Sequence, residues 1–111
     1  MPRTLFCGTL LLLAGMASAQ AEHICDIERR WEGLINGERL TISGRIVKDY
    51  GPLRDGNFAY DIADSCGEAA IEWDQPIDCR GTVTITGEYD ESMPIDLLGQ
   101  VFIWVTQASC N

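Results

Sequence analysis

Apolar and polar residues recur with two different periods along this chain. In the first pattern, apolar residues between positions 24 and 34 are three or four positions apart. They are Ile24, Ile27, Trp31 and Leu34. This spacing places their side chains on one face of a helix, and Asn36-Gly37 then supplies a stop or turn signal. The pattern predicts one amphipathic helix over residues 22–36, whose apolar face packs on the rest of the domain.

From residue 40 onward the period changes to two, which is typical of β-strands. The segments that alternate in this way are residues 40–47, 58–63, 69–74, 82–86 and 101–106. Turn-forming residues separate them, and residues 49–57 are predicted to be a loop. Gly44 lies in the middle of the first segment and predicts a bend or bulge there. The alternation directs Tyr60 and Trp73 into the core.

The last of these segments, residues 101–106, is apolar on both faces. A strand of this kind needs a cover on its outer side, and the N-terminal helix is the predicted cover. The helix would then bury Phe102 and Trp104, which is the preferred prediction because large exposed apolar patches are uncommon. The alternative is that the two rings form an exposed aromatic binding patch on this strand. On this prediction Trp31 is a core residue, whose replacement by alanine costs about 3–5 kcal/mol.

The first residues have the three parts of an export signal. Arg3 supplies the basic start, an apolar stretch runs from Leu5 to Ala14, and the small residues Ala17-Ser18-Ala19 precede a cleavage site. The apolar stretch is too short to span a bilayer. We predict a signal peptide over residues 1–19, or 1–21 if cleavage occurs two residues later. A single domain over residues 22–111, without stable membrane insertion, follows it.

The net charge of the chain limits the classes of partner that it can bind. It carries 8 basic and 17 acidic residues, which gives a formal net charge of −9. This charge repels the phosphates of nucleic acids and anionic lipid surfaces, and it speeds the encounter with a basic protein. The sequence predicts no nucleic-acid partner. Together with the export signal, it predicts a periplasmic or secreted location.

Four cysteines lie beyond the predicted signal. They are Cys25, Cys66, Cys79 and Cys110. Exported cysteines usually oxidise, and these four are too scattered to form a paired-cysteine metal motif. The sequence predicts two disulfides, for which four cysteines allow three pairings.

Three segments of the chain carry a resemblance to a known fold. They are Leu40-Thr-Ile-Ser-Gly-Arg-Ile-Val47, the hairpin Tyr60-x-Ile62-x-Asp64-x-x-Gly67-x-Ala69-x-Ile71, and Val83-Thr-Ile-Thr-Gly-Glu88. Together they resemble the OB-fold superfamily, and the hairpin is similar to that of small exported bacterial OB-fold proteins. The closing Cys110 is similar to that of exported OB domains of the anticodon-binding-like type. The resemblance implies a mainly β protein, a five-stranded OB-like barrel with one N-terminal helix and two disulfides.

The OB topology implies which cysteines meet. Its first two strands are antiparallel, which brings Cys25 toward Cys66. Its third and fifth strands run parallel, which brings Cys79 toward Cys110. The preferred pairing is therefore Cys25–Cys66 with Cys79–Cys110. Cys66–Cys79 with Cys25–Cys110 remains the main alternative, because a helix folded back along the barrel permits it.

Ligands of OB-folds often bind on the outer face of the second and third strands and on the adjoining loops. In this chain that face is predicted to carry the carboxylates Asp61, Glu72 and Asp74, and no aromatic residue. Without basic and stacking side chains, such a face is unsuited to nucleic acid. The three carboxylates form a candidate face for a ligand or a hard cation. No recognised ligand spacing accompanies them, and no metal or other cofactor is predicted.

Catalytic chemistry has little support in the sequence. His23 is the single histidine, and no serine or cysteine lies in a recognisable nucleophile motif. No enzyme is therefore predicted. The sequence predicts a non-catalytic exported binding or accessory module of the cell envelope whose ligand is unknown, with a small ligand or a basic protein as possible partners. The alternative is an acidic inhibitor or immunity-type protein that docks on a basic enzyme through the loops at residues 50–57 and 90–99.

Overall fold

A computed structural model of the chain describes residues 20–93 and 99–111. The predicted signal peptide over residues 1–19 and part of the predicted contact loop, residues 94–98, lie outside the described residues. The described part contains a short helix, a 3₁₀ turn and a set of strands. They are α1 (Ile24–Arg29), η1 (Trp31–Gly33), β1 (Arg39–Pro52), β2 (Phe58–Ala63), β3 (Glu68–Trp73), β4 (Val83–Tyr89) and β5 (Val101–Cys110).

The strands form a closed barrel in the order β1-β2-β3-β5-β4. Neighbouring strands are antiparallel except β3 and β5, which are parallel, with Ile71 opposite Ile103. Because the barrel is closed, every described strand has a neighbour on each side. The mainly β, five-stranded OB-like barrel that the sequence predicts is confirmed.

Strand β1 serves both halves of the barrel. It pairs with β4 up to Gly44 and with β2 from Arg45 onward. A Cβ atom on Gly44 would lie 2.3 Å from the carbonyl oxygen of Ala63, so the close approach of the two strands requires glycine. The predicted bend at Gly44 is the point at which β1 changes partner.

Strand β1 also extends beyond its predicted end. Residues 49–57 are predicted to be a loop, but β1 continues to Pro52, which lies opposite Phe58. A register shift between Asp49 and Pro52 and a φ of 72° at Gly51 accommodate the turn-forming residues within the strand. The extension brings Tyr50 beside β2, where it contributes to the site described below.

Side chains that point into the barrel form one core. Its largest buried members are mostly aliphatic, such as Ile62 and Ile85. Tyr60 is 3% exposed, as predicted, and its hydroxyl accepts a hydrogen bond from the Ile77 N–H at 2.9 Å. Trp73 is partly buried and packs against the same core. The period-two pattern therefore predicts the interior of the barrel correctly.

The N-terminal helix closes one end of the barrel and does not cover β5. Ile24 and Ile27 are buried in the barrel core, and Ile24 lies close to Gly67 in the turn between β2 and β3. Two predictions are therefore wrong. The helix ends at Arg29 rather than near residue 36, and Trp104 is not beneath it. Among the described residues, no helix has the length and apolar character needed to cross a bilayer.

The helix ends early because Arg30 leaves the helical conformation. Its backbone has φ −109° and ψ 19°. Its guanidinium donates two hydrogen bonds to Glu22, both of 2.8 Å, and one of 3.0 Å to Glu38. These three bonds raise the pKa of Arg30. They join the residues before the helix to those that lead into β1, so the chain turns back toward the barrel instead of continuing as a helix.

Two links hold α1 on the turn between β2 and β3. A disulfide joins Cys25 to Cys66. The Asp64 carboxylate accepts hydrogen bonds from the backbone N–H groups of Ile24 at 2.8 Å, Cys66 at 2.9 Å and Gly67 at 3.0 Å. Burial raises the pKa of Asp64, but these donors outweigh the effect, and the pKa falls below its ordinary value. The links fix the helix at the end of the barrel, away from the outer side of β5.

The second disulfide joins Cys79 to Cys110, the last residue of β5. Cys110 lies opposite Val83, at the start of β4. The preferred pairing of Cys25–Cys66 with Cys79–Cys110 is confirmed. The alternative that includes Cys66–Cys79 is wrong.

Trp31 is half-buried in η1 and is not among the residues that pack against the core. Replacing it with alanine is therefore expected to lower the free energy of unfolding by about 1 kcal/mol, less than the cost of removing a fully buried tryptophan. Chemical denaturation of the Trp31→Ala variant measures this cost. Ile27→Ala is the comparison, and it should cost more because Ile27 is 1% exposed. A Trp31→Ala loss above about 3 kcal/mol would assign Trp31 to the core.

Candidate functional site

Side chains that point away from the core on β2, β3 and β5 form one continuous surface, called the outer face below. Residues opposite each other in neighbouring strands lie side by side, so strand pairing divides the surface into two rows. The first row contains Asp61, Ala70 and Phe102. The second row contains Ala59, Glu72 and Trp104. Each row therefore runs from a residue of β2 to an aromatic residue of β5.

The first row is the base of a cleft of about 360 Å³. Ala70 is small and leaves room above the sheet. Tyr50 and Leu53, from the end of β1 and the loop that follows it, line the cleft together with Met93 and Phe102. The cleft is concave and mainly apolar, as small-ligand sites usually are, and its volume is in their ordinary range.

One charged side chain is buried in this cleft. Asp61 is 8% exposed, and its Oδ2 atom accepts a hydrogen bond of 2.7 Å from the hydroxyl of Tyr50. That hydrogen bond is the main reason why the pKa of Tyr50 is raised. On the surface, the Lys48 ammonium lies 4.8 Å from the centre of the Tyr50 ring. The two contacts fix the orientation of the Tyr50 ring at the mouth of the cleft.

The second row borders a hollow of about 440 Å³. Glu72 and Asp74 contribute its carboxylates, and Trp104 contributes an aromatic ring that is 37% exposed. Asn57 donates a hydrogen bond of 2.9 Å from its Nδ2 atom to Glu72. The hollow adjoins the cleft, because Trp104 packs against Phe102 edge to face with ring centres 5.0 Å apart. The two depressions thus provide adjacent subsites on one surface.

The ring of Trp104 is held in place by Asp90. The indole Nε1 atom donates a hydrogen bond of 2.7 Å to the Asp90 carboxylate. The side-chain hydroxyl of Ser92, the Trp104 indole and the Ser92 N–H together lower the pKa of Asp90. Asp90 therefore remains an acceptor over the ordinary pH range, and the exposed Trp104 ring has a defined orientation before any ligand binds.

The structure separates the three predicted carboxylates. Asp61 lies in the cleft, and its Oδ2 atom is bonded to Tyr50, whereas Glu72 and Asp74 lie in the hollow. Their oxygens are not among the described groups whose ligand atoms lie within 4.8 Å of one another. Asp61, Glu72 and Asp74 thus share a face, but they do not surround one common point.

A different group of residues meets that distance criterion. His23, Asp64 and Cys66 have potential ligand atoms within 4.8 Å of one another. The Cys66 sulfur is in a disulfide, and the Asp64 carboxylate accepts three backbone hydrogen bonds. Both are therefore committed to holding α1 on the barrel, and this group is structural.

The aromatic part of the outer face differs from the preferred prediction. Phe102 is buried as predicted, at 6% exposed, but not beneath the helix, and Trp104 is exposed, as in the alternative of an aromatic patch. Tyr50, predicted to lie in a contact loop, belongs to β1. One signal was available in the alternation of β5. Phe102 and Trp104 have the opposite parity from Val101, Ile103 and Val105 and therefore point outward.

No protein-family model and no curated protein matches this chain. The barrel does match solved structures. One of them is described as "Crystal structure of Ifi202 HINa domain in complex with 20bp dsDNA", at 9% sequence identity and a TM-score of 0.54. The match covers 83% of this chain and 48% of that chain, so this protein spans about half the length of the solved one. At this identity the likeness shows the fold alone.

This neighbour contradicts two predictions. A domain with this fold was solved on 20-bp dsDNA, so the prediction that excludes a nucleic-acid partner is wrong. The prediction of a non-catalytic accessory module of the cell envelope is wrong for the same reason, and the inhibitor alternative is not better supported. The error has a physical source. The exclusion relied on a face without aromatic residues, whereas Tyr50, Phe102 and Trp104 all lie at the outer face.

Proposed function

We propose that the outer face binds an oligosaccharide across the cleft and the adjoining hollow. The observation that carries this proposal is two exposed aromatic rings, Tyr50 at the cleft and Trp104 at the hollow, beside hydrogen-bonding side chains. Phe102, which is 6% exposed, lies between the two depressions and packs against Trp104. OB-folds bind oligonucleotides and oligosaccharides on the corresponding face and its loops.

The aromatic rings suit the shape of a sugar. A pyranose ring has an apolar face of C–H groups and a rim of hydroxyls, so it stacks on a flat aromatic surface while its rim remains polar. Trp104 is 37% exposed, and Tyr50 is 48% exposed. Both rings are oriented by side-chain contacts, which reduces the entropy that a ligand must overcome on binding. Two oriented rings favour a ligand with at least two rings of its own.

The polar side chains of the cleft and the hollow can form hydrogen bonds with the hydroxyls at the rim of a sugar ring. Carboxylates accept hydrogen bonds, and amides both donate and accept them. Asp61 and Gln100 line the cleft, and Glu72 and Asn57 line the hollow. A neutral sugar offers hydroxyls that both donate and accept, so it can pair with all four side chains without introducing a second negative charge.

A nucleic acid is the second candidate, and the neighbour solved on 20-bp dsDNA favours it. Bases stack on exposed aromatic rings, as sugars do. Lys48 and Arg54 are exposed near the cleft and supply positive charge. The carboxylates of the outer face and the net charge of −9 oppose phosphate groups, which places this candidate second.

Trp104→Ala is expected to weaken binding of a β-linked tetrasaccharide by about tenfold, because it removes the exposed ring of the hollow. Isothermal titration calorimetry with cellotetraose and with the tetramer of N-acetylglucosamine measures this effect. Trp31→Ala is the control, because it removes a tryptophan that lies in η1, and it should leave the affinity unchanged.

The same titration with a short oligothymidylate and with a 20-bp duplex, at low and high salt, tests the second candidate. Binding of DNA that depends on Trp104 and weakens with salt, with no response to either sugar, would replace the oligosaccharide proposal with nucleic-acid binding. Saccharide binding that Trp104→Ala does not alter would remove the outer face from the proposal.

The two disulfides support an oxidising compartment, where such bonds persist. We propose a periplasmic or secreted location on this ground and on the sequence of residues 1–19. The lack of enzyme activity and the narrower resemblance to exported bacterial OB-fold proteins stay predictions.

A further inference from the structure

We infer that Asp61 selects an amine-bearing ligand, so that the cleft prefers a protonated amino sugar to its neutral N-acetylated form. This inference rests on the proposed function, because it uses the same cleft. It assigns the chemical class of the ligand and the residue that recognises it.

Asp61 is a buried carboxylate with one described hydrogen-bond donor. The residue is 8% exposed and lines the cleft. The hydroxyl of Tyr50 is its described donor, and this donor reaches the Oδ2 atom. Within residues 20–93 and 99–111, no donor is found for the Oδ1 atom. No described Lys or Arg nitrogen lies within 4.0 Å of the carboxylate.

A buried carboxylate is normally paired with a cation or fully hydrogen-bonded, because burial removes its hydration. Asp61 has a free oxygen and no cationic partner among the described residues, and it faces a cavity large enough for a ligand. A ligand ammonium would supply both the charge and the missing hydrogen bond, and charge-assisted bonds of this kind are the stronger ones.

A second carboxylate adds negative charge near the cleft. Glu68 lies at the start of β3 and accepts a hydrogen bond of 3.4 Å from Gln100, which lines the cleft. Its negative charge acts on the Tyr50 hydroxyl together with that of Asp61. Lys48, the cation nearest to the ring of Tyr50, is exposed. Negative charge therefore dominates the interior of the cleft, and positive charge lies on the surface outside it.

The test compares the glucosamine tetramer with the N-acetylglucosamine tetramer by calorimetry, at a mildly acidic pH where the free amines are protonated. We expect the unmodified protein to bind the glucosamine tetramer roughly tenfold more tightly, with a preference that declines as salt rises. Asp61→Asn should abolish the preference, because it keeps the shape of the side chain and removes its charge. Glu32→Gln is the matched control. It removes one negative charge at an exposed position in η1 and should leave the preference intact.

Each outcome decides a different point. If both tetramers bind equally and Trp104→Ala weakens both, the oligosaccharide function stands and the role of Asp61 is overturned. A preference that survives Asp61→Asn also overturns it, because the net charge of the protein is then the cause. If neither tetramer binds, the proposed function fails, and the inference fails with it. If Asp61→Asn does not fold, the affinity ratio in the unmodified protein and its salt dependence decide, and a ratio near one overturns the inference.

Discussion

Gly87→Ala is expected to destabilise the barrel by at least about 3 kcal/mol. Gly87 lies in β4, opposite Val105 of β5. A Cβ atom there would lie 2.2 Å from the carbonyl oxygen of Trp104 and 2.6 Å from a methyl carbon of Ile103. The first of these atoms belongs to the backbone, so no side-chain rotation relieves the contact. The two strands must separate instead, at the site of the register shift between Thr86 and Gly87.

Thermal and chemical unfolding of the purified variant measure this loss. Gly81→Ala is the matched control, because a Cβ on Gly81 meets nothing within 4 Å, and its effect should be small. The clash also involves the backbone of Trp104, so any Gly87→Ala protein that folds should have weaker saccharide binding as well. A variant as stable as Gly81→Ala would show that β4 and β5 are farther apart than this structure indicates.

Asp64→Ala is expected to cost about 2–4 kcal/mol. The side chain of Asp64 is 10% exposed. Its removal leaves the N–H groups of Ile24, Cys66 and Gly67 without their acceptor. The hydrogen bonds from Ile24 and Gly67 are partly buried, so leaving those donors unpaired costs more than an ordinary hydrogen bond contributes, whereas the exposed Cys66 N–H can bond to water. The loss should loosen α1 from the barrel end, although the Cys25–Cys66 disulfide still joins them.

Asp64→Asn separates the charge of Asp64 from its hydrogen bonds. One carboxylate oxygen accepts from Ile24, and the other accepts from Cys66 and Gly67. Asparagine replaces one of the oxygens with a donor, so one of these contacts becomes unfavourable while the other is kept. Asp64→Asn should therefore cost less than Asp64→Ala. Equal costs would mean that the hydrogen bonds contribute little to the position of the helix.

The contribution of Asp64 should also depend on pH. Its pKa is lower in the folded protein than its ordinary value, because the backbone donors outweigh the effect of burial. The stability that it contributes is therefore fully present above the ordinary pKa of an aspartate, and it is lost as the pH falls through the folded value. Unfolding experiments across the acidic range should show the stability difference between the unmodified protein and Asp64→Asn shrinking toward low pH.

Glu28 acts in the opposite direction. Burial and the negative charge of Asp64 raise the pKa of Glu28. Its contribution is therefore present at low pH and declines as the pH rises through its own titration. The test of Asp64 is the comparison of the unmodified protein with Asp64→Asn. If the difference between their free energies of unfolding does not change with pH, the backbone donors of the helix and the turn do not hold Asp64 in its charged form.

The strands of the barrel were predictable because the alternation of inward and outward side chains depends only on neighbouring residues in the sequence. Alternation along β2 and β3 sends Tyr60, Ile62 and Ile71 inward whatever the rest of the chain does. Gly44 marked the bend of β1 because a mid-strand glycine signals close backbone approach. The order of the strands also favoured the disulfide pairing that the structure shows. In the OB topology the third and fifth strands finish at the same end of the barrel, which brings Cys79 toward Cys110, but the position of the helix left the alternative with Cys66–Cys79 open.

The helix was predicted at the right place but with the wrong length and position. Its apolar stripe correctly marked Ile24 and Ile27 as buried. The same stripe continued to Trp31, which the sequence could not separate from the core. Trp31 lies outside the core because Arg30 bonds to Glu22 and Glu38 and ends the helix before Trp31. Each glutamate is eight residues from Arg30 along the chain. Periodicity contains no information about such contacts.

The sequence by itself determined which residues face the interior, because the period of a strand or helix assigns each side chain to one face. It also placed Asp61 and Glu72 on the outer face for the same reason. Only the tertiary structure decided what stands beside them. The parallel pairing of β3 with β5 brings Phe102 and Trp104 next to Ala70 and Glu72, and the tether at Asp64 keeps α1 from covering those rings. Both effects depend on contacts between distant parts of the chain, which is why the candidate site became apparent only in the folded barrel.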